Sequence, residues 1–421
     1  MAFMTVSAQS SVFRWLILIA ASLGFFVAQV DNLSITPVLP QVAASLNINL
    51  GTASNLAMTT FMLAACIFQL LVGGVICDKL GVVGGIAIGA FCASAPMTLM
   101  PWIGHSATGL ALARFVEGSA AGMLFPAMGA IVGLWFPVHE KGLASGLMGS
   151  AVAVGSAAGV LLGPAVMSHV SSWQSMNAVL SILGWITFAY TLVLAVLPKP
   201  VLESNGGLDA AALKRALFSR LTFLGVLVAF MACWDMQCVY SLTATYLAAD
   251  KPTGVGYGPM MAGQLMIGLT LFAGVLGPLV CGLLLDKVFK GNAKPVFLIG
   301  FALLFVFIFL LTVPAVTGNI PVLESVLILV GFGIQFNLPT IFYFIARSYA
   351  PQLAGIMSGV WVGLGNVGGA VGLAVAGITV KSQNSYHTSL IMESLVALAG
   401  FCLVFALSAA QRSSRPAKAY Q

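Results

Sequence analysis

The chain has 421 residues, of which 60% are apolar and only 7% are charged, and its mean hydropathy is +1.05. A soluble domain carries about 25% charged residues, so this composition excludes a water-soluble protein, and the apolar content also excludes a disordered one. The seven cysteines are an odd number in a long chain, which excludes a secreted disulfide scaffold. The class that remains is a helical protein that crosses a membrane many times.

Twelve apolar runs are long enough to cross a bilayer, which takes about 20 residues of helix. In chain order they cover 13–36, 54–77, 83–104, 107–135, 143–168, 175–197, 221–247, 260–285, 295–316, 321–346, 352–379 and 388–410. The first run resembles the apolar part of a signal peptide, but no basic cluster precedes it, so we interpret it as a retained helix.

These runs predict an all-α integral membrane protein with 12 transmembrane helices in two six-helix bundles related by pseudo-two-fold symmetry. The predicted domains are an N-terminal bundle at 1–197, a cytoplasmic central loop at 198–220 and a C-terminal bundle at 221–421. Within the central loop, residues 209–218 are predicted to form a short amphipathic helix at the membrane surface.

The basic residues predict the orientation, because Lys and Arg gather in cytoplasmic loops. With the N-terminus inside, 14 of the 17 Lys and Arg residues fall on the cytoplasmic side, Lys251 and Lys381 fall on the other side, and Arg114 lies within a span. We therefore expect both termini in the cytoplasm and a location in a bacterial inner membrane. This topology accounts for the net charge of +6, so no nucleic-acid partner is expected.

The two halves of the chain repeat one another. The segment Gly74-x3-Asp78-Lys79 follows the second span and Gly282-x3-Asp286-Lys287 follows the eighth, 208 residues later. Three glycines of span 5 match three of span 11 at a spacing of 210: Gly149, Gly155 and Gly159 with Gly359, Gly365 and Gly369. The offsets predict a duplicated unit whose copies are parallel. Such small residues serve either plain helix packing or an interface at which the halves slide.

On these motifs the chain resembles members of the major facilitator superfamily over nearly its whole length. The segment from Gly74 to Gly81 is similar to the family's loop between the second and third helices, although Val82 and Val83 replace its usual basic pair. The resemblance implies solute transport by alternating access. It also implies gating by residues of this loop and of its copy in the second half, namely Gly74, Asp78, Lys79, Gly81, Gly282, Asp286 and Lys287.

Four charged residues stand out as deeply placed in the predicted spans: Asp31 in span 1, Arg114 and Glu117 in span 4, and Asp235 in span 7. A charge near the bilayer centre costs at least about 2.5–3.5 kcal/mol unless it is paired or hydrated, so these four are candidates for proton coupling. Asp31 and Arg114 have similar depth on different helices, and we expect them to be coupled. An intrahelical pair of Arg114 with Glu117 is the structural alternative. The resemblance matches Arg114 to a family arginine associated with proton coupling.

Polar and aromatic residues near the midplane are candidates for solute binding, together with Arg114. They lie on spans 1, 7, 10 and 11: Gln29, Trp234, Gln237, Tyr240, Gln335, Asn337, Tyr343, Trp361 and Asn366. Each residue by itself also fits an interhelical hydrogen bond or core packing, and it is the set that favours a cavity.

Two branches of the family fit these residues. The run from Asp31 to Pro40, the run from Glu117 to Ala127 and the run from Trp135 to Gly146 resemble organic anion:proton symporters, although Asn32 stands where those proteins place an arginine. The segment Gly159-x3-Gly163-Pro164 resembles the span-5 motif of drug:proton antiporters, without its following paired glycines. We expect a proton-coupled secondary transporter of a small organic solute, an anionic metabolite in the first interpretation and a drug or amphiphile in the second.

Other function classes fit less well. A channel or receptor does not account for the two-fold repeat. The four histidines, His105, His139, His169 and His387, fall in loops or at predicted helix ends, and the chain has no phosphate-binding loop for ATP. We expect no enzymatic activity, no metal and no cofactor. The expected partners are the solute, protons and the lipid bilayer, and the protein is expected to be a monomer.

Overall fold

The computed structural model describes residues 12–131, 135–136, 140–197, 210–349 and 351–414, and includes their side chains except at 74–75, 77–78, 125–130, 141–143, 145–146, 210, 351–352, 354–355 and 411–414. Across these ranges the regular secondary structure is helical, with no strand. This confirms the predicted all-α fold.

Twelve long helices are found in the described residues, and we label them α1 to α12. The helices of the first half are α1 Phe13–Ser34, α2 Leu50–Val72, α3 Gly73–Ile103, α4 Ala107–Ala130, α5 Lys141–Met167 and α6 Trp173–Val196. Those of the second half are α7 Arg220–Ala248, α8 Gly258–Val288, α9 Ala293–Leu310, α10 Ile320–Ser348, α11 Pro351–Gln383 and α12 His387–Ser414. Each corresponds to one predicted span.

Eleven of these helices, all except α4, contain a stretch of described residues that is long and apolar enough to cross a membrane. The helix α4 carries Arg114 and Glu117. The short helix Ala210–Leu217 confirms the amphipathic segment predicted in the central loop, since its Lys214 and Arg215 are exposed while Leu213 and Leu217 are half-buried.

Polar side chains and glycines set several helix boundaries. Asn49, Ser172, Asn292 and Asn319 precede α2, α6, α9 and α10, and each accepts a hydrogen bond from a backbone N–H of the first turn, which satisfies a donor that the helix leaves free. In α3, Gly81 interrupts the helical backbone with φ +74°, a conformation that glycine adopts without strain. Gly81 therefore marks the turn between the second and third spans.

Contacts divide the chain into two compact units. Unit 1 comprises Met1–Gly206 and Ala244–Gln264, and unit 2 comprises Gly207–Thr243 and Leu265–Gln421. The predicted boundaries of the two bundles stay a prediction, and residues 198–209 of the predicted central loop lie outside the described residues.

The same helix pairs form inside each unit. In unit 1, α3 packs on α4 and α6, and α2 packs on α4. In unit 2, the equivalent helices do the same, since α9 packs on α10 and α12, and α8 packs on α10. This repetition of internal packing agrees with the duplication read from the glycine spacing.

The matched glycines of α5 and α11 allow close approach to the first helix of their unit. A Cβ atom at Gly155 would lie 2.6 Å from the carbonyl oxygen of Phe26 in α1, and one at Gly365 would lie 3.0 Å from the backbone of Ala229 in α7. At Gly149 and Gly359, no described atom apart from the local helix backbone lies within 4 Å of such a Cβ. The described packing of Gly155 and Gly365 is therefore helix packing within a unit.

Candidate functional site

Arg114 joins three helices of unit 1. Its Nη1 lies 3.1 Å from Oδ1 of Asp31 on α1 and 2.8 Å from Oε2 of Glu117 on its own helix. Its Nε donates to the carbonyl oxygen of Ala57 on α2 over 2.8 Å. All three charged side chains are 1% exposed. Both the pair with Asp31 and the intrahelical pair with Glu117 are therefore present, and Arg114 is shared between two acids.

Close helix contact holds the arginine in place. A Cβ atom at Gly118 of α4 would lie 2.0 Å from the carbonyl oxygen of Phe61 in α2, so glycine is needed where the two helices touch. The Phe61 ring lies under the guanidinium, with its centroid 4.5 Å from Cζ of Arg114, a cation–π arrangement. Ala57 belongs to the π-helical turn Asn55–Thr59, a local distortion that is frequent at functional sites.

The charges in this cluster do not balance when every group is ionised, since one guanidinium faces two carboxylates. Oδ2 of Asp31 and Oε1 of Glu117 receive no hydrogen bond from the other described residues when both acids are ionised. The two carboxyl groups are close enough to share a hydrogen bond when one of them carries a proton. One added proton would make the cluster neutral, and a buried cluster strongly favours neutrality.

A second buried acidic site lies in unit 2 and contains two acids. The sequence analysis identified Asp235 but not Glu393. Asp235 on α7 is fully buried and interacts electrostatically with Glu393 on α12, which is 2% exposed. None of the four carboxylate oxygens has a hydrogen-bond partner among the described residues. Glu393 lies in the last predicted span, and as an acid within an apolar run it could have been found by the argument that identified Asp235.

The predicted solute-binding residues occupy different environments. Gln335 and Tyr240 contact each other, since Nε2 of Gln335 donates to the Tyr240 hydroxyl over 3.2 Å. Gln29, Trp234 and Gln237 are half-buried, whereas Asn337 and Asn366 are buried. Their role as solute ligands stays a prediction.

Two other members of that set, Trp361 and Tyr343, make contacts within unit 2. Trp361 is fully buried against Gly225 of α7, at whose position even a Cβ atom would overlap the indole ring, so Trp361 is part of the core of unit 2. Tyr343 lies near the end of α10, where its hydroxyl accepts a hydrogen bond from Nη1 of Arg347 over 3.0 Å.

The predicted gating residues are partly described. Lys79, Asp286 and Lys287 are exposed, and Gly81 forms the turn in α3. At Gly282, no described atom apart from the local helix backbone lies within 4 Å of an added Cβ. The side chain environments of Gly74 and Asp78 lie outside the described residues. Gating by these residues stays a prediction.

Comparison with known proteins identifies the family. The sequence profile described as Major Facilitator Superfamily matches residues 21–373 and 255–419. The probable sulfoacetate transporter SauU of Cupriavidus necator is 25% identical over 401 residues, which cover 89% of each chain. The quinolone resistance protein NorA of Staphylococcus aureus is 23% identical over 384 residues, 85% of this chain and 94% of NorA. The riboflavin transporter RibZ of Clostridioides difficile is 28% identical over 232 residues. This alignment covers 55% of this chain and 49% of RibZ, so the match spans about half of that relative.

The fold also matches solved structures. A bacterial homologue of the human lysosomal transporter Spinster superposes with a TM-score of 0.73 in an unoccupied state and 0.75 in an occupied state, at 14% and 13% sequence identity. The alignments cover 98% of this chain and all of the solved chain. The helical architecture, the duplicated packing and the profile match across most of the sequence lead to one conclusion: the chain belongs to the major facilitator superfamily.

Proposed function

We propose that this protein is a secondary active transporter that moves a small organic anion across a membrane, coupled to protons. The observation that carries this proposal is the sharing of buried Arg114 between Asp31 and Glu117. A single cation bound to two acids can exchange one of them for a carboxylate or sulfonate of the solute. The acid that is released then takes up a proton, because an unpaired buried carboxylate is costly.

The geometry of Arg114 supports an anionic solute. Nη1 contacts both acids, whereas among the described residues Nη2 has only a weak contact, 3.4 Å, with the carbonyl oxygen of Asn32. A planar guanidinium can hold an anion by two parallel hydrogen bonds, and Nη2 is the nitrogen with capacity to spare. The similarity to SauU, named as a probable sulfoacetate transporter, supports the same solute class.

An exporter of cationic drugs or amphiphiles is the second candidate. The buried acids Asp235 and Glu393 interact electrostatically in unit 2 and have no basic partner among the described residues, and such a pair favours a cation. The similarity to NorA, named as a quinolone resistance protein, supports this alternative. In that case Trp234, next to Asp235, would add a cation–π contact.

The topology and location belong to the same proposal. We expect both termini in the cytoplasm of a bacterium and the helices in its inner membrane, from the distribution of Lys and Arg. We further propose that the protein works as a monomer, that the transported solute and protons are its ligands, and that it catalyses no covalent reaction.

Uptake into proteoliposomes with an imposed pH gradient tests the proposal. The wild-type protein is tested with carboxylates, sulfonates and cationic amphiphiles, together with Arg114→Lys and with Arg14→Lys as a matched control. Arg14 also forms a salt bridge, with Glu140, but lies outside the buried cluster. Lysine keeps the charge and loses the planar fork, so we expect Arg114→Lys to lose at least about tenfold in anion affinity.

Two results would decide between the candidates. Uptake or exchange of anions that is lost in Arg114→Lys and kept in Arg14→Lys supports the anion transporter. Transport of cations alone, with the same affinity in Arg114→Lys, overturns it and favours the exporter.

A further inference from the structure

A basic cavity lies in unit 2, and neither Asp235 nor Glu393 belongs to its lining. Its volume is about 350 Å³. Residues at the start of α9 and near the ends of α10 and α12 line it. Its polar lining consists of Lys290, Asn292, Lys294, Tyr343, Arg347 and Ser408. The described lining contains three basic side chains and no acidic one, so the cavity is suited to an anion.

Arg347 is fixed in this cavity by one of its three nitrogens. Its Nη1 donates to the carbonyl oxygen of Gly291 over 3.0 Å and to the hydroxyl of Tyr343 over 3.0 Å. The close approach requires glycine at position 291, where the backbone has φ +87° and an added Cβ would overlap Nη1. The Nε and Nη2 groups make no hydrogen bond to another described residue, so Arg347 is held in place with donors left for a ligand.

The other two cations complete the anion site. Lys294 lies in the first turn of α9, where the positive end of the helix dipole also favours an anion. Its Nζ is 4.2 Å from the ring centroid of Phe405. Lys290 is exposed and forms no salt bridge with a described residue, although Asp286 precedes it by one turn. The cavity therefore carries positive charge that its own lining does not neutralise.

The position of the cavity indicates where the anion comes from. The ends of membrane-spanning helices lie at the level of the lipid headgroups. Phe405, beside Lys294, is 48% exposed on α12, and an exposed apolar ring next to a headgroup site would contact an acyl chain. Basic pockets between transmembrane helices are suited to anionic lipid headgroups.

We propose that this cavity binds the phosphate group of an anionic phospholipid, held by Arg347, Lys294 and Lys290. Arg347 grips two phosphate oxygens through Nε and Nη2, and the lysines neutralise the charge. The acyl chains extend past Phe405. This proposal does not rest on the transport activity proposed above.

Native mass spectrometry of the purified full-length protein tests the site. Wild-type protein is equilibrated with equal amounts of phosphatidylglycerol and phosphatidylcholine, alongside Lys290→Gln/Lys294→Gln and Arg347→Gln. The control Lys214→Gln/Arg215→Gln removes two exposed charges from the helix Ala210–Leu217. Both lysines attract the anionic headgroup electrostatically, so the double cavity variant should bind phosphatidylglycerol roughly 25-fold more weakly than wild type. The affinity of the control variant should stay within about threefold of wild type.

A second arm separates a lipid from a soluble anion. Inorganic phosphate is added to lipid-depleted protein and the Tm is measured for the same variants. A rise in Tm with phosphate that the cavity variants lose, combined with no preference for phosphatidylglycerol, overturns the lipid and assigns the site to a soluble phosphate compound.

Two other outcomes overturn the site itself. One is equal binding of the two lipids by wild type with no effect of phosphate, and the other is an equal loss in the control and cavity variants. If Arg347→Gln fails to fold, the double lysine variant still tests the site. We expect that variant to fold, because neither lysine side chain forms a hydrogen bond in the described structure.

Discussion

Nη1 of Arg114 lies 3.1 Å from Oδ1 of Asp31, and this contact ties α4 to α1 inside unit 1. The two residues are 83 positions apart in the chain, and each is 1% exposed. The same nitrogen also lies 2.8 Å from Oε2 of Glu117. Protonation or removal of one acid therefore changes the electrostatic interaction of Arg114 with the other acid.

We predict that Asp31→Asn abolishes pH-driven transport without unfolding the protein. The substitution removes one of two carboxylates, so Arg114 keeps a balanced pair with Glu117. By contrast, Arg114→Gln leaves two buried acids without a cation, which costs about 3–5 kcal/mol. Proteoliposome uptake and Tm are the measurements, and Asp250→Asn, at an exposed acid, is the control. Unchanged pH-driven uptake in Asp31→Asn would show that Asp31 is structural.

We predict that Glu393→Gln keeps or raises the Tm, and more so at pH 9 than at pH 5. In the wild type, ionisation of both acids places two like charges together in an apolar interior, where repulsion is strong. A neutral amide of the same shape removes that repulsion from Asp235. The matched control is Glu324→Gln, at an exposed glutamate of α10. A Tm that falls equally at the two pH values would mean that Glu393 is ionised and held by a partner.

We predict that alanine has different effects on the Tm at two glycines of α5. Gly155→Ala should lower the Tm, because its Cβ would lie 2.6 Å from the carbonyl oxygen of Phe26 and overpacking costs about 1–3 kcal/mol. Gly149→Ala should leave the Tm unchanged or raise it, because that position is open and alanine is the better helix former by about 1 kcal/mol.

The equivalent pair in α11 provides a second test of the repeat. Gly365→Ala should be destabilising relative to Gly359→Ala, since a Cβ at Gly365 would lie 3.0 Å from Ala229 and position 359 is open. The measurement is the Tm of Gly149→Ala, Gly155→Ala, Gly359→Ala and Gly365→Ala. Equal effects at the close and open positions would show that the two packings are not equivalent.

The predicted orientation is tested by labelling. Cysteines are introduced at positions 10 and 417 in a background in which exposed Cys402 is replaced, and intact cells are treated with a membrane-impermeant maleimide. We expect no labelling at either position until the cells are opened, because Lys and Arg cluster on the side assigned to the cytoplasm. Labelling of either position in intact cells contradicts this topology.

Local composition was enough to predict the helical part of the fold. Bilayer-length apolar runs predict spanning helices because backbone groups in lipid must be bonded within the helix, and all twelve runs correspond to long helices in the described residues. The matched glycine spacing likewise indicated the duplicated packing, since close helix contact needs small residues whatever surrounds them. The depth of Asp31 and Arg114 along their spans was readable in the same way, from the rise per residue.

Tertiary structure alone decided which charges meet. Depth along a helix does not specify the direction in which a side chain points, so the sequence allowed Arg114 to pair with Asp31 or with Glu117, and the structure shows that it contacts the two acids together. The electrostatic interaction of Asp235 with Glu393, two residues 158 positions apart, depends on how α7 and α12 pack. The gathering of Lys290, Lys294 and Arg347 around one cavity likewise depends on how α9, α10 and α12 pack. Contacts between distant segments are set by helix rotation and crossing, which the hydrophobic pattern of a lipid-embedded helix, apolar on every face, does not encode.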